Sequence, residues 1–83
     1  MDEVITRMAA LLARVLEEPS LAHETTADTN LLMDIGIDSL HMITFLLAVE
    51  EEFDVEIDFE SLDAVHLESV KAFCHFALDP DGQ

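Results

Sequence analysis

Few residues of this 83-residue chain are of a type that does chemistry, and most of those are spaced wrongly for it. Ser39 stands between Asp38 and Leu40, just after Gly36 and just before the apolar run "LHMITFLLAV". A serine nucleophile needs a base within reach, and the imidazole closest in sequence is His41. Two residues along a helix place it well round the axis from Ser39. No Gly-x-Ser-x-Gly elbow surrounds the serine. His41 therefore reads as an exposed helix residue and not as a base. The segment "DVEIDFESLDAV", 54–65, puts acids at positions 1, 3 and 5 of a would-be calcium loop. Phe59 stands where that loop needs glycine and Val65 where it needs a bidentate glutamate, so no calcium site is expected. His23, His41, His66 and His75 lack ligand-pair spacing for zinc, and the single Cys74 falls on an apolar stripe. What remains is one hydroxyl at a helix start. Serine there is a common cap. It is also a candidate modification site, because the first-turn amides favour a phosphoryl group and Asp38 could orient an incoming metal–phosphate group.

The elements that must position this hydroxyl are helical. Ile5, Met8, Leu11, Leu12, Val15 and Leu16 recur at spacings of three and four, which predicts an amphipathic first helix. Pro19 ends it near Glu18. Residues 19–38 form a long connection in which "SLAHETTADTN" is loop-like. Leu31, Leu32, Ile35 and Ile37 are expected to pin it to the core, with one helical turn near 30–34. Gly36 suits a turn position of positive φ. The second helix starts at Ser39 with Asp38 as N-cap. Leu40, Ile43, Leu47 and Met42, Leu46, Val49, Phe53 fill two adjoining apolar stripes on it. An acidic stretch, 50–60, follows, with seven carboxylates in eleven residues and "VEI" as a short extended link. A short helix is expected at 61–65 and a last one at about 67–78, where Val70, Phe73, Cys74 and Ala77 share a face. "DPDGQ" reads as a frayed tail. The fold class is all-α: a small four-helix bundle of three longer helices and one short one, with a long loop between the first two longer helices, in a single domain spanning 1–83.

Composition narrows the partners. There are 19 Asp and Glu against 3 Lys and Arg, a formal net charge of −16. Phosphate contacts need Lys and Arg, so nucleic acid is excluded as a natural ligand. An anionic membrane surface is disfavoured on the same ground, and no uninterrupted apolar run approaches the ~20 residues of a membrane span. A partner with a basic patch fits, and long-range attraction would speed the encounter. The charge predicts a bundle that gains stability from added salt or acidification. One cysteine permits no internal disulfide, and with Asp2 and Glu3 at the start of the chain a cytoplasmic monomer is expected.

At Ser39 the sequence resembles an acyl carrier protein. "GIDSL" matches that family's Gly-x-Asp-Ser-Leu signature, and "AVEEEFDVEI" is similar to the end of its second helix and the link that follows. The likeness extends over nearly the whole chain. It implies that Ser39 receives 4′-phosphopantetheine from coenzyme A through a separate phosphopantetheinyl transferase, and that the arm's thiol carries acyl groups as thioesters. The protein itself is then not an enzyme. Asp38 and Leu40 would meet the transferase. Met42, Glu50 and Glu51 would contact acyl-loading and acyl-processing enzymes through their basic patches. Carriers of fatty acid synthesis usually place acids soon after the serine, whereas here His41 and Thr44 occupy those places. That departure implies a discrete carrier of polyketide or related specialised biosynthesis. A peptidyl or aryl carrier of a nonribosomal pathway is the alternative, although such carriers usually show Gly-Gly where this chain has Ile35-Gly36. From a different class, an acidic helical adaptor would leave Ser39 unmodified.

Overall fold

The computed structural model describes residues 2–78, and the tail "DPDGQ" lies outside the described residues. The first helix, α1, spans Asp2–Leu16 and buries Ile5, Met8, Leu11 and Leu12, the face its periodicity predicts. Asp2 and Glu3 in its first turn and Arg14 in its last complement the helix dipole. The helix stops two residues before Glu18. Glu17 adopts a left-handed φ of 57°. The Glu17 N–H donates to the Arg14 carbonyl at 3.3 Å and the Glu18 N–H to the Ala13 carbonyl at 3.0 Å, a Schellman closure. Pro19 bars any continuation.

The connection is more ordered than its composition suggests. Leu21–Glu24 closes a short helix, α2, inside the segment expected to be loop. Its amides donate back to the Glu18, Pro19 and Ser20 carbonyls, so the turn begins as soon as the proline permits. A π-helical turn at Leu31–Ile35 answers to the turn expected near 30–34. Asn30 caps it, its side chain accepting from the amides of Leu32 and Met33, and Gly36 ends it at φ 72°. Leu31 and Ile37 are buried and anchor the connection. Leu32, expected to help, is instead 42% exposed. Further upstream the carbonyls of Ala27 and Thr29 accept from the amides of Lys71 and Val70. The connection thereby satisfies first-turn donors of the last helix.

The long helix α3, Ser39–Phe53, follows, and α4 covers Val70–Leu78. The short helix expected at 61–65 is replaced by two 3-10 turns, Phe59–Ser61 and Ala64–Leu67. The cause is local capping. Asp58 binds the Glu60 amide and the Ser61 hydroxyl, and Asp63 binds the Ala64 amide, so each aspartate starts its own turn. The last helix starts at Val70, not 67, because the Ser69 hydroxyl accepts from the Ala72 amide as its cap. Met8 and Leu12 of α1, Leu31, Phe45 and Val49 of α3, and Val70, Phe73 and Cys74 of α4 form the fully buried centre. Phe45 and Phe73 meet at 5.3 Å between ring centroids. Arg7 ties α1 to the end of α3, pairing with Glu52 at 3.0 Å and lying 4.4 Å over the Phe53 ring. The architecture is a small all-α bundle of three long helices, with no strand among the described residues.

Candidate functional site

The start of α3 is set by Asp38. Its backbone is extended, φ −91° and ψ 175°, and its carboxylate accepts the His41 amide at 2.8 Å. This is the N-cap bond the sequence predicts. The same Oδ1 lies 2.9 Å from His41 Nδ1. The His41 amide, followed by the His41 side chain, holds the Asp38 carboxyl below its ordinary 3.8. Ser39 is the first residue of the helix and is exposed, and Leu40 beside it is 73% exposed. The three residues assigned to attachment therefore stand together at one end of α3. A hydroxyl here faces solvent at the positive end of a fifteen-residue helix, which favours a phosphoryl group bonded to it.

An apolar groove of about 370 Å³ opens at this point. Asp38 and Ser39 are among its lining residues, with Leu32, Met42, Leu46 and Phe59 among the apolar ones. An exposed hydroxyl adjoining an apolar groove suits an attached pantetheine arm, whose stem is part apolar and whose end must move. When bound, that arm supplies a thiol on which acyl groups travel as thioesters. The chain's own thiol cannot serve in its place, since Cys74 is 1% exposed and burial pushes it up to about 11.

The three expected partner contacts separate. Met42 is half-buried, packed against the core and lining the groove, so it is a wall more than a docking knob. Glu50 and Glu51 lie about 12–14 Å beyond Met42 along the helix axis, lining a second hollow with Thr44 and Leu47. Glu51 is exposed. Glu50 is half-buried and already engaged, its carboxylate accepting the Ile57 amide at 2.6 Å. It holds the link after α3 in place before it is available to anything else. Sequence reasoning missed the outward face of the helix. Leu40, Ile43 and Leu47 are 73%, 51% and 54% exposed, while Phe45, Leu46 and Val49 are buried. It also missed Phe59 as a groove wall, for which a large apolar residue between two acids was the available signal, and it placed Leu32 in the core where the structure puts it on the groove. No group of three or more potential metal ligands occurs among the described residues, and no helix there is long and apolar enough to cross a membrane.

With this geometry in place, comparison with known proteins defines the class. A family model described as "Phosphopantetheine attachment site" matches residues 6–77, and the chain belongs to this family of carrier proteins. A mitochondrial acyl carrier protein of Neurospora crassa is 36% identical over 67 residues, covering 78% of this chain and 48% of its own. A non-reducing polyketide synthase of Aspergillus terreus is 39% identical over 57 residues, 69% of this chain and 2% of the synthase. An aminoacyl carrier protein of Bradyrhizobium diazoefficiens is 32% identical over 69 residues, 83% of this chain and 76% of that protein. The chain thus spans about half the length of the Neurospora relative and a small part of the synthase. It is a non-catalytic carrier of covalently attached phosphopantetheine. The unmodified acidic adaptor falls away with that membership.

Proposed function

We propose that Ser39 bears the 4′-phosphopantetheine arm and that the chain carries acyl intermediates in polyketide or related specialised biosynthesis. One observation carries this: a single exposed hydroxyl at the first residue of α3, preceded by a capping aspartate and followed by a helix face on which Leu40, Ile43 and Leu47 are exposed. Ser39 Oγ attacks the phosphorus bearing pantetheine in coenzyme A. The new O–P bond forms as the bond to the departing adenosine 3′,5′-bisphosphate breaks, and the hydroxyl proton passes to a base on the transferase. Asp38 and Leu40 meet that transferase. Acyl-loading and acyl-processing enzymes dock along α3, with Met42 near the arm and Glu51 reading their basic residues.

The chemistry of that face supports a specialised partner set. His41 and Thr44 stand where fatty-acid carriers usually place acids, and three large apolar residues lie exposed among them. The likeness to a segment of a polyketide synthase points the same way. A monomer follows from charge, since a second copy would set −16 against −16. A cytoplasmic location rests on Cys74 as an unpaired thiol. The second reading, aminoacyl or peptidyl cargo, is favoured by the aminoacyl carrier relative, while Ile35-Gly36 in place of Gly-Gly favours acyl cargo. The test is loading of the arm-bearing protein by three enzyme types: a malonyl transferase of fatty acid synthesis, a polyketide acyltransferase and an aminoacyl-adenylating enzyme. Preferred service by the polyketide enzyme supports the proposal. Efficient service by the fatty-acid enzyme sinks it, and aminoacylation transfers the assignment to the second reading.

A further inference from the structure

The chain contains the pattern Asp-x-x-His at two helical starts, Asp38–His41 and Asp63–His66, and the structure uses the two differently. At the second, His66 Nδ1 accepts the Asp63 amide at 2.9 Å while the Asp63 carboxylate holds the Ala64 amide at 2.7 Å. This is a capping box with imidazole in the place of the usual Glu or Gln. The His66 ring also stacks on Phe76 at 4.3 Å. Its work is structural: it satisfies a backbone amide and packs.

At the first pattern the ring leaves the backbone alone and turns to the carboxylate. His41 Nδ1 lies 2.9 Å from Asp38 Oδ1. An ionised carboxylate only accepts, so Nδ1 carries the hydrogen. The cap does not need this bond, because Oδ1 already accepts the His41 amide at 2.8 Å. Both donors converge on Oδ1, and no bond to Oδ2 occurs among the described residues. The side chains are 44% exposed for His41 and 65% for Asp38. A carboxylate that exposed, held by one bond, keeps rotational freedom about its last torsion. Two bonds from one residue hold it in a single orientation with one oxygen unshared, directly before Ser39.

We propose that His41 is a positioning residue for the modification of Ser39, acting through the Asp38 carboxylate. It keeps that carboxylate ordered before the transferase arrives, so the ordering cost is not met on binding. The inference rests on Ser39 being the attachment site. The Asp63–His66 pair serves as the internal control, having the same residues at the same spacing with the ring used for packing.

The experiment follows transferase kinetics on the apo-protein with coenzyme A and magnesium, beside thermal unfolding, for the wild type and the variants His41→Ala, His41→Asn and His66→Ala. His41→Ala should raise KM for the apo-protein about three- to tenfold with kcat unchanged. Its melting temperature should stay within about 2 °C of wild type, since the backbone cap bond remains. His41→Asn, which returns an N–H donor near Asp38, should restore KM. His66→Ala should do the reverse, lowering the melting temperature while leaving KM at the wild-type value. A wild-type KM in His41→Ala overturns the proposal. So does a raised KM that His41→Asn fails to restore, because the ring would then touch the transferase itself. A wild type that is never modified removes the Ser39 assignment, an outcome separate from either.

Discussion

Helices α1 and α3 are each fifteen residues long and both are rich in apolar residues, yet the fold uses them differently. In α1 the large apolar side chains Ile5, Met8, Leu11 and Leu12 go inward, and Arg7 and Arg14 stay exposed. Val4, Val15 and Leu16 are half-buried against the core, and no large apolar side chain described in α1 is fully exposed. In α3, Phe45, Leu46 and Val49 fill the core, and Leu40, Ile43 and Leu47 stay on the outside. Exposing three large apolar side chains on successive turns is unfavourable for the isolated protein, and the bundle gains nothing from it. The surplus begins beside Ser39 and runs down the face proposed above to meet partner enzymes. On the proposed function the contrast locates the work: α1 is consumed by folding, while α3 serves the fold with one face and offers the other to a partner.

The strongest way to break that contrast is to truncate the same residue type on each helix. Leu12→Ala, at a fully buried position of α1, should cost about 2–5 kcal/mol. In a domain this small that lowers the thermal midpoint by about ten degrees or more, read by circular dichroism. Leu47→Ser on the outer face of α3 should change stability by no more than about 0.5 kcal/mol. It should instead raise KM for acyl-loading enzymes. Equal stability losses at the two positions would remove the distinction.

The core that both helices share offers a second probe. Burial moves the Cys74 thiol from 9.0 to about 11. A group whose folded value is raised contributes stability that is fully present below its unfolded value and is lost as pH rises through the folded one. The displacement corresponds to about 2–3 kcal/mol, so denaturant midpoints should fall between pH 9 and about 11, and less steeply in Cys74→Ser. The apo-protein should also resist thiol reagents until unfolded, whereas the arm-bearing protein should show one fast-reacting thiol. Smaller still is an effect confined to the end of α1. Glu17 holds a left-handed φ of 57°, a conformation that glycine adopts without strain. Glu17→Gly should therefore stabilise by about 0.5–1 kcal/mol, seen as a raised midpoint with no change in modification of Ser39.

Much of this organisation was legible in the sequence. The α1 stripe, the Asp38 cap, Gly36 at positive φ and the burial of Leu31 and Ile37 each follow from one local rule. The two faces of α3 did not. Its adjoining stripes are equally apolar, and periodicity does not say which of two such stripes meets the other helices. The helix expected at 61–65 failed for another reason: Asp58 and Asp63 act as caps, and a capping aspartate looks like any other acid in an acidic run. Glu50 reads in the sequence as free surface charge because its partner, the Ile57 amide, arrives only after the chain has reversed at Asp54, where φ is 56°. The bond from His41 to Asp38 was within reach of sequence reasoning, since a residue three beyond an N-cap faces it. A search for catalytic bases asks of His41 only whether it reaches Ser39, and passes over its reach toward the cap.

The most direct test of the central claim, that α3 begins at the attachment site, is intact mass. Wild type and Ser39→Ala are incubated with coenzyme A, magnesium and a broad-specificity phosphopantetheinyl transferase. The wild type should gain the mass of one phosphopantetheine and Ser39→Ala should gain none while keeping its helical signal. A folded wild type that gains nothing, or a Ser39→Ala protein that gains the same mass, would contradict the account.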